Sequence, residues 1–324
     1  MPRPKPLAAA GTVVSRARSS RRCKCQSSGW SIVNLSMRAA PLEDVQCYSK
    51  VVTVYRYCGD LMPTKTVKST NITLLINHDL ASHLALYYLM DLLKGHRITI
   101  FLSEKVGVNH SPPLALVDLA AFETQCLNDG RLTFAEMADT LGCKIGDFVD
   151  LDNRLSSPVA RDRIAQTNPE LILSIRFGLI LPQSIIDLPK HGVINLHSGL
   201  LPDYRGVMGT FRAMQNTDVF MGSTLHFISD PGIDCGAIIA TQRDPINYSR
   251  SYLYNVLSLY RSGCKQMVAA VNSLCSGMRL ETSLPQRDGH YYSFPNEVEL
   301  NRFAASSYRL FDENELEQIN CLYS

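Results

Sequence analysis

Asn195 and His197 lie two residues apart in the apolar run GVINLHS, and Asp234 lies further on in the Gly-bracketed segment GIDCG. In an extended strand residues i and i+2 share a face, so the amide and the imidazole point the same way while Ile194 and Leu196 point the other. An amide donor, an imidazole and a carboxylate are the parts of an acyl-transfer site. The donor stabilises a developing oxyanion, the imidazole carries protons, and the carboxylate orients and charges the imidazole. Each residue alone has a plainer reading. A single His at a strand end is commonly a hydrogen-bonded structural residue, and an Asp between glycines commonly closes an Asx turn. Two polar groups on one face of an apolar strand still need a reason to be there, because burying them without partners costs free energy.

The flanking chain supplies elements to position them. Residues 71–77 (NITLLIN) read as a buried strand, His78-Asp79 as a turn into an amphipathic helix ending near Leu93, and residues 96–104 as a second strand after Gly95. This strand–helix–strand opening predicts a parallel βαβ unit. Helices are expected over 111–128, over FAEMADTLG up to Gly142, and over 162–168 before Pro169. ELILSIRF reads as a continuous apolar strand, LPQSIIDLP as a helix, GVINLHS as a strand, and GTFRAMQN as a helix. STLHFIS and AIIATQRDPI are further strands, and one long helix is expected over 251–276. The architecture predicted is α/β: a Rossmann-like open, mostly parallel twisted sheet flanked by helices, with ligands at the C-terminal strand ends, where Asn195 and His197 fall.

The run NLHSGLLPDYRG followed at a distance by GIDCG resembles the signature of the folate-dependent formyltransferases: Asn-x-His, a small pair, Leu-Leu-Pro-x-x-Arg-Gly, and a distant Asp-x-Gly. The preceding SIRFGLILPQSIIDLPKHGVINLH also follows the family layout, and the likeness covers roughly residues 70 to 250. The family has Pro-Ser after the His where this chain has Ser198 and Gly199, and the stretch from His226 to Asp234 is about one residue longer. The resemblance implies a formyltransferase fold and transfer of the formyl group of 10-formyltetrahydrofolate to a primary amine, with Asn195, His197 and Asp234 as catalytic residues. It places the folate pterin against Phe177, Leu179, Ile180, Leu181 and Pro182, and against Asp230 and Ile233 of the later loop. Arg205 and His226 are candidates for substrate contact; Arg205 equally reads as a surface residue in a tight turn, and His226 shares a strand face with Thr224 and Ile228.

Eight of the 32 basic residues lie in residues 1–42, which hold no acid, so the remaining chain carries 24 basic against 30 acidic residues. The body is thus acidic, which argues against broad electrostatic binding of nucleic acid. The Arg- and Ser-rich head, residues 1–45, is expected to be disordered; a transit peptide or an over-extended start with Met37 as the true start are the other readings. The catalytic domain is expected over 46–276 and a C-terminal extension packing on it over 277–324. No apolar run reaches the length of a membrane span. The ten cysteines form no Cys-x-x-Cys pair, so no metal is expected, and free thiols suit a reducing, cytoplasmic location. Cys235, beside Asp234, reads as a buried packing thiol rather than a nucleophile.

The expected acceptor is a small-molecule amine, an amino sugar or amino-acid derivative. The late HYYSFP segment resembles formyltransferases acting on small amines, though its aromatics read first as packing. The chain is not expected to hold the β-barrel with which methionyl-tRNA formyltransferases help hold tRNA. A homodimer is left open. The alternatives are a 10-formyltetrahydrofolate hydrolase, a methionyl-tRNA formyltransferase, or a non-catalytic folate-binding protein.

Overall fold

The structure, a computed structural model, describes residues 69–104, 111–285 and 288–324, all within one compact unit, Pro63–Ser324. The basic head and the start of the expected catalytic domain lie outside the described residues. The elements in chain order begin with β1 (Asn71–Asn77), α1 (Leu80–Leu92), β2 (Arg97–Ser103), α2 (Leu114–Leu127), α3 (Phe134–Leu141) and β3 (Lys144–Asp147). They continue with α4 (Pro158–Ala165), β4 (Leu171–Ile175), α5 (Gln183–Ile186), β5 (Val193–His197), β6 (Arg205–Gly206) and α6 (Gly209–Gln215). The last part holds β7 (Phe220–Ile228), β8 (Ile238–Pro245), α7 (Tyr252–Ser258), α8 (Tyr260–Cys275), β9 (Tyr291–Tyr292), α9 (Glu297–Ala305) and α10 (Leu316–Cys321).

Seven strands form one sheet in the order β3-β2-β1-β4-β5-β7-β8. The first five are parallel, β7 adds antiparallel to β5, and β8 adds antiparallel to β7. Both faces are covered, which is why the parallel strands read as unbroken apolar runs. Leu74 and Ile76, Leu171, Leu173 and Ile175, and Ile194 and Leu196 join the larger core cluster. Leu75, Ile172 and Val193 turn to the smaller one, with Phe148, Leu181 and Ile185. Asn195 and His197 share the parity of Val193 and therefore emerge on the face of the smaller cluster. The strand order reverses between β1 and β4, so the loops after them leave in opposite directions and open a crevice at their C-terminal ends.

Local chemistry accounts for most boundaries. The Asp79 carboxylate accepts the Ser82 N–H and starts α1, and a Thr133–Glu136 capping box starts α3, which Gly142 ends in the left-handed region. The helix expected at 162 begins earlier because Ser157 caps it and Pro158 takes its first turn. The single helix expected over 251–276 is two: at Leu259, buried in the core, the N–H turns to the Val256 carbonyl three residues back, 3.3 Å away, and divides α7 from α8. Residues 288–324 return to the sheet unit. β9 pairs with β6, and Phe303 of α9 packs on Phe211 with ring centroids 4.4 Å apart. Arg212, buried in α6, holds Glu299 of α9 at 2.5 Å. Tyr292 stacks on Tyr204, 5.9 Å between centroids, so one of the late aromatics packs while Tyr291 is exposed.

Candidate active site

The antiparallel register of β5 and β7 sets Asn195 directly opposite His226 and His197 opposite Thr224. Directly opposed residues on one face of a sheet are close enough to bond, and Asn195 Nδ2 lies 3.1 Å from His226 Nε2. Between Leu225 and His226 the pairing of β7 with β8 slips by a bulge, a common device for re-aiming a side chain beside a site. The loop from Ser229 to Ala237 then folds back so that Asp234 reaches both imidazoles. Asp234 Oδ1 is 3.3 Å from His226 Nε2, and Oδ2 is 3.5 Å from His197 Nδ1. The Gly206 N–H donates to Oδ2 at 2.9 Å. All three side chains are at least nine-tenths buried.

The electrostatics follow from that placement. Burial alone would raise the Asp234 carboxyl, but His197, His226 and the Gly206 N–H outweigh it and hold it at about 2, against an ordinary 3.8. Asp234 is therefore an anion bridging two imidazoles. His226 Nδ1 faces the Phe227 carbonyl at 2.9 Å and donates to it, while Nε2 faces both Asn195 Nδ2 and Asp234 Oδ1. His197 Nε2 donates to the Tyr204 carbonyl at 2.6 Å while Nδ1 faces Asp234. His197 is thus held at both nitrogens.

Two glycines permit this geometry. A Cβ on Gly199 would lie 2.5 Å from His197 Nε2 and 2.8 Å from the Tyr204 carbonyl oxygen. In this chain Gly199 therefore leaves the space that the imidazole occupies. A Cβ on Gly236 would lie 1.8 Å from the Phe227 carbonyl oxygen, so the loop bearing Asp234 passes the end of β7 only as glycine.

The other expected site residues are distributed as follows. Arg205 Nε donates to the Ile233 carbonyl at 3.0 Å and Nη2 to Cys235 Sγ at 2.7 Å, so this arginine ties down the Asp234 loop. Cys235 is exposed, not buried as its sequence position suggested, because the loop turns its thiol outward toward Arg205. Leu181 belongs to the core, Phe177 meets Phe148 edge-on, Leu179 packs against the same cluster, and Pro182 caps α5. Ile180 is left 63% exposed. Asp230 closes an Asx turn on the Gly232 N–H, 2.7 Å. The loop after β4 and the loop after β7 meet where Gln183 Nε2 donates to the Ser229 carbonyl, 3.3 Å. A cleft of about 500 Å³ opens on Asp234 between Arg205, Pro202, Cys235, Leu284 and Asp288. Among the described residues no group of three or more His, Cys, Asp or Glu side chains could hold a metal ion. None of their helices is long and apolar enough to cross a membrane.

Sequence reasoning missed the link from His226 to Asp234 and the Gly206 N–H that fixes the carboxylate. Both depend on strand register and loop return, which leave no local signal; only the shared face of His226, Thr224 and Ile228 hinted at the first.

An Asn, two His and an Asp thus converge beside β5 of an open α/β sheet. Residues 140–256 match the family described as "Formyl transferase". The chain is 34% identical over 128 residues to the methionyl-tRNA formyltransferase of Syntrophomonas wolfei, covering 39% of this chain and 40% of that one. Against the enzyme of the same name from Ralstonia pickettii it is 33% identical over 136 residues, 41% of each chain. The chain spans about two-fifths of the length of these curated relatives. In fold it is similar to glycinamide ribonucleotide transformylase 1 of Symbiobacterium toebii, with a TM-score of 0.50, 14% identity, and coverage of 71% of this chain and 100% of that one.

Proposed function

We propose that this chain moves the formyl group of 10-formyltetrahydrofolate to the primary amine of a small molecule, an amino sugar or amino-acid derivative. The observation that carries the proposal is the convergence of Asn195, His197, His226 and Asp234, with Asp234 held as an anion between the two rings. In the reaction the amine lone pair attacks the formyl carbon and its oxygen takes up negative charge. The bond to folate N10 then breaks, N10 gains the proton the amine gives up, and the products are a formamide and tetrahydrofolate. Asn195 is the oxyanion donor, an interaction worth about 2.7–4 kcal/mol for one such group. The imidazoles beside Asp234 relay the amine proton toward N10. Asp234 stabilises charge on the rings, and the Tyr204 carbonyl holds His197 in place beside it.

The donor set fits the folate. Exposed Ile180 gives apolar surface for a flat ring, and the loops over 176–182 and 229–234, joined through Gln183 and Ser229, present backbone groups to its polar edge. The small acceptor is favoured by the acidic balance of the chain beyond residue 42. Methionyl-tRNA is the second reading, and the sequence relatives favour it. The test supplies 10-formyltetrahydrofolate with methionyl-tRNA or with a panel of amino sugars and amino-acid derivatives, following tetrahydrofolate and formylated product. Acceptor-dependent release with a small amine is expected. Efficient methionyl-tRNA formylation that weakens steeply with salt would overturn the acceptor, and formate release without any acceptor would overturn the transferase in favour of a hydrolase.

A further inference from the structure

The backbone groups that hold His197 and Asp234 both come from one tripeptide, Tyr204-Arg205-Gly206. The Tyr204 carbonyl accepts from His197 Nε2 at 2.6 Å, and the Gly206 N–H donates to Asp234 Oδ2 at 2.9 Å. The tripeptide is not part of the seven-stranded sheet. Its last two residues form β6, which pairs with β9 in a separate two-stranded ribbon. A ribbon that short has little stability of its own, so the tripeptide takes its place from what packs on it.

Two rungs fix its direction. The Arg205 N–H donates to the His290 carbonyl at 2.9 Å, and the Val207 N–H donates to the Tyr292 carbonyl at 3.0 Å. The Arg205 N–H and the Tyr204 carbonyl belong to one trans peptide plane and point opposite ways. The bond to His290 on one side therefore aims the carbonyl at His197 on the other. Gly206, φ 91°, makes the approach possible, since a Cβ there would lie 2.2 Å from the Tyr292 carbonyl oxygen.

The side chains lock the same contact. The ring of the buried Tyr204 stacks on Tyr292, 5.9 Å between centroids and 22° between planes. The Tyr204 hydroxyl donates to the Asp218 carboxylate and accepts from Asn216 Nδ2 at 3.2 Å. The Arg212 guanidinium lies 5.1 Å from the centroid of the Tyr292 ring and donates to the Ser293 carbonyl at 3.1 Å.

We infer that Tyr292 and Tyr204 are positioning residues for the transfer: their stack presses the tripeptide onto β9, and so aims the Tyr204 carbonyl at His197 and the Gly206 N–H at Asp234. The inference rests on the acyl-transfer reading of those two residues. With Nε2 bound to a carbonyl, His197 is held as the tautomer that donates there, and Nδ1 is the nitrogen left to exchange a proton beside Asp234. If the peptide plane turns, Nε2 loses its acceptor and the ring loses its orientation. A misplacement of about 1 Å can cost about 100-fold in rate.

The test reads His197 directly and turnover separately. The full chain, labelled with 15N-histidine and free of folate and acceptor, is expected to show a slowly exchanging imidazole N–H resonance that is absent from His197→Ala. Tyr292→Leu should shift that resonance and speed its exchange at least about tenfold. With 10-formyltetrahydrofolate and the fastest amine of the panel above, its kcat should fall at least about tenfold while the folate KM stays within about threefold. Tyr292→Phe keeps the stacked ring, and both readouts should stay within about twofold of the wild type. Thermal melting shows which variants are folded. If Tyr292→Leu is not, Tyr204→Phe decides, since it keeps the stack but frees the ring from Asp218 and should move both readouts at least about threefold the same way.

The inference is overturned if the wild type lacks the resonance, or if the deciding variant is folded and leaves either readout as in the wild type. It is also overturned if Tyr292→Phe loses as much as Tyr292→Leu. The resonance needs no reaction, so the two readings fail separately. A wild type that transfers to no acceptor removes the catalytic role while the resonance still reports the clamp, whereas transfer indifferent to the variants removes the inference alone.

Discussion

Asp234→Asn removes a charge from the centre of the site while keeping the shape of the side chain and an oxygen for the Gly206 N–H. In the native protein the carboxyl lies at about 2, against 3.8 for an ordinary aspartate. That displacement corresponds to about 2 kcal/mol of preferential stabilisation of the carboxylate by His197, His226 and the Gly206 N–H. Because the folded value is depressed, the contribution is fully present above the unfolded value and is lost as pH falls through about 2. Urea denaturation of both proteins along a pH series measures it. The wild type is expected to be the more stable by up to about 2 kcal/mol near neutrality, and the gap closes between about pH 4 and pH 2. Turnover is expected to fall at least about 100-fold while the folate KM stays within about threefold, because the charge acts on groups that change protonation in the transition state. Near-native turnover would remove Asp234 from the mechanism. A stability gap that does not narrow on acidification would refute the electrostatic account even if activity were lost.

His197→Ala is expected to cut turnover at least about 100-fold with little change in folate affinity measured by fluorescence quenching, and a change confined to KM would assign the ring to binding instead. Gly236→Ala drives a Cβ into the Phe227 carbonyl; melting should reveal a loss of about 2 kcal/mol or more, and turnover should fall with it as the Asp234 loop shifts. Arg205→Ala frees the Ile233 carbonyl and the Cys235 thiol. It should lower turnover by about tenfold with under about 1 kcal/mol of lost stability in urea denaturation, since the side chain is partly exposed, and an unchanged rate would show that the loop holds itself.

The chain's own residues announced a great deal. Unbroken apolar strands such as NITLLIN and LILSI, separated by helices, required a parallel sheet covered on both faces, because only then are both sides of each strand buried. Period-two alternation put Asn195 and His197 on one face, and NLHSGLLPDYRG with GIDCG pointed to Asp234 as the third member. The caps at Thr133–Glu136 and Ser157-Pro158 lie in adjacent residues, yet neither was read from them.

What the tertiary structure alone decided was how these groups meet. The placement of His226 opposite Asn195 comes from the antiparallel register of β5 and β7, and a shift of one residue would have turned it to the other face. Asp234 became a bridge between two imidazoles only when its loop folded back and the Gly206 N–H held it. The meeting of Arg176 with Asp79, nearly a hundred residues apart in the chain, depends on β1 and β4 being neighbours in the sheet. Alternation and caps are read from a few adjacent residues, since backbone geometry repeats locally. Register, loop return and strand order are set by the packing of distant segments, which no short stretch of sequence contains.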